Sequence, residues 1–416
     1  MLAAMKDVTV PEITKGRSPF HPGQPVPVEL FVGRADQIER LVERGIKQVE
    51  AGKPVAVFVQ GEYGIGKSSI AAFLQELAER EHLLHTMYAP LAGCRTLPDV
   101  ASAVLQAAVH SGTFEPDRSE KLRNWLAKYI GKQTLFGVTV NLETLRADAP
   151  AFATPFALLD FLKDALDRLA GSGVKGLFLV LDELNGIAGD PAFPQFLKGL
   201  VDTNAVSRPP LPLLLMLCGT DERRGQLIQG YEPIGRVFDV VDIPTMSGAE
   251  MREFYERAFQ AAQMIVDEDA MAMLGESAAG FPKIMHEIGE AAYWADRDGR
   301  IDLADAVAAT LAAAEEVGRK YVDHQVYDAV RSPDYRSILD KIATQLGPLR
   351  MSFTTAEVTG LLTASERPKF NNFLQKMKRL NVLRSGESRG EYVFNVSMVK
   401  LYIWLRARPR AAGAGA

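Results

Sequence analysis

The 416 residues include only two cysteines, Cys94 and Cys218, far apart in sequence. Two thiols so placed exclude a disulfide framework and a thiolate metal cluster. Cys218 sits in an apolar run and reads as a small core residue. The six histidines show no ligand spacing. Long apolar runs are missing as well. The longest, Leu177 to Leu181 and Leu211 to Cys218, fall far short of the ~20 residues that span a bilayer. The N-terminus has no signal-peptide apolar core. These absences point to a reduced, cytoplasmic protein without a membrane partner. Absent too are an Asn-Lys-x-Asp or Thr-Lys-x-Asp guanine-reading motif and a Leu-Ser-Gly-Gly transporter signature, which argues against a GTPase and a transporter ATPase.

What is present is an ordinary globular composition, 47% hydrophobic and 24% charged, in a chain long enough for two or three domains. The net charge of −5 is unevenly spread. Residues 331–410 carry 15 Lys+Arg against 6 Asp+Glu, a balance of +9, while the remainder carries 32 against 46, a balance of −14. A basic block on an acidic body suggests a polyanionic partner.

The chain is organised around Gly61-Glu62-Tyr63-Gly64-Ile65-Gly66-Lys67-Ser68, which fits G-x-x-x-x-G-K-[ST] at every fixed position. Val55 to Gln60 reads as a buried strand leading in, and Lys67 to Arg80 as a helix leading out, with Ile70, Phe73, Leu74 and Leu77 on one face. Glycines let the loop turn backbone N–H groups toward phosphate oxygens, and the helix N-terminus adds partial positive charge. In that chemistry Gly61, Gly64, Ile65, Gly66, Lys67, Ser68 and Ser69 bind ATP. Lys67 reaches the β- and γ-phosphates, and Ser68 ligates Mg²⁺. Gly176 to Leu181 is a second apolar strand, ending in Asp182-Glu183. Carboxylates at that end lie where ligands bind in parallel sheets. Asp182 is expected to hold Mg²⁺ through water, and Glu183 to orient or deprotonate the attacking water.

Further strands are expected over Leu83–Leu91, Leu213–Leu217 and Val237–Val241, and helices over Asp36–Glu50, Asp99–His110, Glu120–Ile130 and about 156–169. Phe136 to Leu142 alternates as a short β element does. Strands alternating with helices predict an α/β fold with a parallel sheet. Thr220, at the tip of the Leu213 strand, is either a γ-phosphate contact or a plain turn threonine. Arg223, Arg224 and Arg236 follow; Arg236, just before the fifth strand, is the candidate to reach a neighbouring subunit's site. From Ser247 the pattern is helical, opening on the capping box Ser247-Gly248-Ala249-Glu250.

Together these motifs resemble the AAA+ ATPases over about residues 18–325. Gly61–Ser68 and Asp182-Glu183 look like that family's Walker A and Walker B. Phe31-Val32-Gly33-Arg34 looks like its segment near adenine, which adds Val32, Gly33 and Arg34 to the nucleotide contacts. Thr220 falls at sensor 1. Gly280-Phe281-Pro282-Lys283 looks like the start of its lid helix, with Lys283 at sensor 2. Two departures are evident: Thr220 stands for the usual asparagine, and Lys283, a point charge, for a bidentate arginine. The resemblance implies a P-loop NTPase core (31–245) after a proline-rich extended arm (1–30), then an all-helical lid (246–328), a winged helix-turn-helix (329–410) and a disordered tail (411–416). A lid followed by a winged helix is similar to the origin-recognition and initiator-loader clade. It is also similar to the archaeal-type STAND ATPases, which have a Gly-Arg pair like Gly235-Arg236.

The last block reads on its own as three helices and a hairpin. Helices are expected over Tyr335–Gln345, from the capping box at Thr354 to about 362, and from Pro368 to about 380. Strands at 382–384 and 391–396 enclose a turn. Lys369, Lys376, Lys378 and Arg379 on the third helix, with Arg389 on the wing, suit duplex DNA. The same module could instead dock a protein, as in a STAND-type switch. The expected protein is therefore an ATP- and Mg²⁺-dependent ATPase forming homo-oligomers, with DNA or a protein as its partner.

Overall fold

The computed structural model describes residues 15–24, 31–111, 154–347, 350–380, 382–386 and 388–407. The helix expected over Glu120–Ile130 and the β element at Phe136–Leu142 lie outside them. The chain divides into two compact units, Pro25–Pro244 and the remainder, so that it crosses from one to the other after residue 24 and again after residue 244.

In the first unit the apolar runs become strands: β1 (Val55–Gln60), β2 (Leu84–Pro90), β3 (Gly176–Asp182), β4 (Leu213–Gly219) and β5 (Asp239–Asp242). All pair in parallel, in the order β2-β3-β4-β1-β5. Every residue of β3 and β4 is buried, as near-continuous Leu/Val sequences demand of strands covered on both faces. The helices between them are α1 (Ala35–Leu41, continued through Glu50 by a π turn), α2 (Lys67–Glu81), α3 (Leu97–Val109), α4 (Pro155–Leu169), α5 (Ala192–Val206) and α6 (Asp221–Gly230). Thr96 and Thr154 cap α3 and α4 with side-chain oxygens, each followed closely by a proline. Phe58, Leu105, Phe161, Leu179, Phe193 and Leu217 centre the core.

The second unit opens with helices α7 (Gly248–Ala261), α8 (Glu268–Ala278), α9 (Pro282–Ala295) and α10 (Leu303–Val317). The capping box at Ser247 is present. The segment expected as an all-helical lid is not all helical, because Ile265–Val266 and Arg300–Ile301 pair as two short strands. The described part of the N-terminal arm belongs to this unit. Phe20 is 4% exposed and sits edge-on to Phe254 and Phe259, at centroid distances of 6.0 and 5.0 Å, and beside His286. Gly289 is what admits the ring: a Cβ there would lie 2.2 Å from Phe20. The His21 N–H donates to His286 Nδ1 at 3.1 Å, and the Tyr293 hydroxyl to the Gly16 carbonyl at 3.0 Å. Burial pulls His286 down to about 4, so it stays neutral and can accept that bond.

The basic block follows as α11 (Pro333–Leu346), a strand Ser352–Thr354, α12 (Thr355–Thr359), α13 (Phe370–Arg379), a hairpin Leu383–Ser385 with Glu391–Phe394, and α14 (Ser397–Ala407). The sequence reading anticipates three helices and the hairpin. It does not anticipate the strand at 352–354, which pairs with 391–394 to make three strands, or α14. The second helix ends at Thr359, three residues early. Thr354 caps it as expected. Among the described residues, no helix is long and apolar enough to cross a membrane.

Candidate functional site

The carboxyl ends of β1, β3 and β4 meet at one place because the register aligns them. Asp182 pairs with Cys218, and Gln60 with Gly219. The Gly61 N–H donates to the Gly219 carbonyl at 3.3 Å. The Gly61–Ser68 loop then turns through Gly64 (φ 78°) and Gly66 (φ 100°), backbone angles that a side chain strains. Gly66 caps α2, whose first turn begins at Lys67 and Ser68.

Lys67 Nζ donates to the Gly61 and Glu62 carbonyls, both at 2.8 Å. Burial lowers its pKa, and the nearby Cys218, Asp182, Glu62 and Glu183 pull the other way. A half-buried ammonium whose hydrogen bonds, among the described residues, go to carbonyls is a site that an anion would stabilise. The Ser68 hydroxyl donates to Asp182 Oδ2 at 2.5 Å. The Tyr88 hydroxyl, from β2, donates to the same oxygen, while the Glu183 N–H donates to Oδ1 at 2.8 Å. Asp182 is 4% exposed and is thus held at both oxygens. Glu183 follows it exposed, with its backbone in the left-handed region (φ 64°). That bend turns the chain out of the sheet immediately after the metal-type carboxylate.

The paired hydroxyl and carboxylate are hard oxygen donors. Among the described residues, no three His, Cys, Asp or Glu side chains gather as a metal cage. Mg²⁺ takes one or two protein oxygens and completes its shell with phosphates and water. The donor set at Ser68 and Asp182 fits that ion.

The other expected contacts are distributed as follows. Ile65 is buried and Ser69 half-buried on the loop and first helical turn. Val32 is buried, and Gly33 and Arg34 both have positive φ. The Arg34 guanidinium donates to the Pro244 carbonyl and, at 3.2 Å, to the Ile65 carbonyl, so it braces the loop from behind. Thr220 caps α6, accepting from the Arg223 N–H at 3.4 Å. Arg236 is exposed at the end of a 3-10 turn, three residues before β5. Lys283 lies in the other unit, in the first turn of α9, where burial pulls it down to about 8.

Sequence reasoning misses Tyr88 and Asn185. Asn185 Oδ1 accepts from Arg223 Nε at 3.2 Å, which ties the start of α6 to the loop after β3. No pattern marks Tyr88. Its place follows from the β2–β3 register, which pairs it with Val180 and Pro90 with Asp182, so that Tyr88 and Asp182 share a face.

On the C-terminal block much of the positive charge is engaged internally. Lys369 pairs with Asp334, Lys341 with Glu366 at 2.6 Å, Arg350 with Glu357 at 2.7 Å and Arg406 with Asp323. Lys378 Nζ donates to Ser385 Oγ at 2.9 Å. Lys376, Arg379 and Arg389 form no ion pair among the described residues, and the last two are exposed.

Residues 30–216 match the AAA ATPase domain family. No curated protein matches the sequence. A Walker-type ATPase of Pyrococcus abyssi is similar in structure, with a TM-score of 0.56 and 19% identity, over 90% of this chain and 96% of that one. The ORC2 protein of Aeropyrum pernix, solved in ADPNP and ADP complexes, is similar with a TM-score of 0.58 and 14% identity, over 93% of this chain and 95% of that one. At these identities the likeness is one of fold. The match is thus to residues 30–216, and beyond it the chain shares the P-loop fold of these structures, a parallel five-stranded sheet followed by a helical C-terminal region.

Proposed function

We propose that this protein binds ATP with Mg²⁺ on the Gly61–Ser68 loop, hydrolyses it, assembles in the ATP-bound state and engages duplex DNA through its C-terminal block. One observation carries the nucleotide reading: the Ser68 hydroxyl lies 2.5 Å from a buried Asp182 at the mouth of a loop whose lysine donates its hydrogen bonds, among the described residues, to carbonyls. In this reading Lys67 exchanges those carbonyls for phosphate oxygens. Ser68 and Asp182 would hold Mg²⁺, which neutralises charge on the phosphates. Glu183, exposed one residue beyond, takes the proton of the attacking water. Thr220 serves as a polar contact to the phosphates, and Arg236 is offered to a second copy. The ADPNP and ADP complexes of the Aeropyrum pernix protein support the nucleotide assignment.

The DNA assignment rests on Arg379, Arg389 and Lys376, which remain after the internal ion pairs are formed. Helix, strand, two helices and a hairpin, in that order, suit a winged helix-turn-helix whose third helix enters the major groove. The test is to size the protein with ATP, with ADP and with each plus duplex DNA, alongside Lys67→Ala. The wild type is expected to enlarge with ATP and to bind DNA. Lys67→Ala is expected to lose ATP affinity by at least about tenfold, the loss of one charged hydrogen bond, and with it the assembly. Unchanged nucleotide affinity in Lys67→Ala would remove the loop reading. ATP-dependent assembly without DNA binding would favour a switch that docks a protein.

A further inference from the structure

We propose that Tyr88 is a positioning residue for the metal half of this site, holding the Asp182 carboxylate in the orientation that a divalent ion needs. The inference rests on the nucleotide reading above and adds a residue that no motif contains.

Asp182 Oδ2 receives two hydroxyl donors, from Ser68 and from Tyr88. They are not equivalent. Ser68 is a metal-ligand candidate, whose oxygen would be offered to the ion. Tyr88 lies on a different element, the strand β2, where it is half-buried. Its hydroxyl also interacts with Ser68, so it touches both candidate metal donors. The Glu183 N–H fixes the other oxygen at 2.8 Å. With both in place the carboxylate is restrained at each oxygen against rotation. Partners of this kind, one shell out from a ligand, typically contribute 10–100-fold to metal affinity.

The test uses Tyr88→Phe, which keeps the ring and removes the donor. Binding of a non-hydrolysable ATP analogue is followed in EDTA and across a Mg²⁺ titration, with Mn²⁺ paramagnetic resonance as a second readout. Affinity in EDTA is expected to stay within about twofold of wild type, while the Mg²⁺ and Mn²⁺ midpoints rise about tenfold or more. An unshifted or lower metal midpoint overturns the proposal. So does an equal loss of affinity with and without metal, since that marks a packing role. If Tyr88→Phe does not fold, Tyr88→Met is the substitute, judged by the same outcomes. A wild type whose nucleotide affinity ignores Mg²⁺ removes the nucleotide reading itself. A normal wild-type response with an unshifted variant removes only Tyr88.

Discussion

Glu183 and Asp182 are neighbours in sequence but opposites in environment, one exposed in a left-handed bend and the other buried and bonded at both oxygens. Their roles should therefore separate by mutation. Glu183→Gln leaves the metal donors intact and removes the base. It is expected to bind ATP normally and to turn over 10²–10⁴-fold more slowly, roughly the range for a lost general base, in a phosphate-release assay. Turnover equal to wild type would make Glu183 a bystander. A different buried charge, Lys400 on α14, is fully inaccessible, and its ammonium has no hydrogen-bond partner among the described residues. Burial pulls it down to about 8. The unfolded chain therefore binds more protons than the folded one between about pH 8 and pH 10.5. The destabilisation is complete below that window and fades as pH rises through it. Lys400→Met is expected to raise stability by a few kcal/mol, roughly, at pH 7. The gain should shrink when unfolding is repeated near pH 10. A variant no more stable than wild type at pH 7 would mean that the ammonium is solvated in the folded state.

Legibility differs between elements for physical reasons. The strand, loop and helix at 55–81 are plain in sequence because fixed residue types and two hydrophobic periods coincide there. Strands β3 and β4 are plain because strands buried on both faces are apolar throughout. Helix α5 is obscured by Pro191, Pro194 and Gly199, although the prolines fall at its cap and first turn, where helices tolerate them. Helix α14 is obscured by Lys400, a charge on what proves to be a buried face. Within the site, the loop and Asp182-Glu183 are legible, whereas Tyr88 and the Asn185–Arg223 bond depend on strand register and a loop path that no local pattern encodes. In the C-terminal block the charge balance is legible, but its internal pairing is not: Lys369 reads as a DNA contact and is found on Asp334. The sharper prediction therefore uses Lys376, Arg379 and Arg389. Replacing all three by Ala is expected to weaken duplex binding and flatten the slope of log K against log salt by about two to three units, at roughly 0.9 per phosphate contact. An unchanged slope would place the DNA surface elsewhere.

At the scale of the whole molecule, the matched AAA ATPase domain begins at residue 30, yet the ten described residues before it are built into the other unit. Phe20 fills a space among Phe254, Phe259 and Gly289 that nothing else in the described chain occupies. Phe20→Ala is expected to cost about 3–5 kcal/mol, the range for an emptied aromatic site, read as a lower melting point of the C-terminal unit. ATP affinity is expected to be unaltered. Unchanged melting would mean that the segment is not docked in solution. Residues 15–24 are, in effect, a peptide ligand supplied by the chain to itself at a local concentration on the order of millimolar. A protein cut to start at residue 31 would then behave as an empty receptor, and the separate peptide 15–24 should restore its stability by fragment complementation.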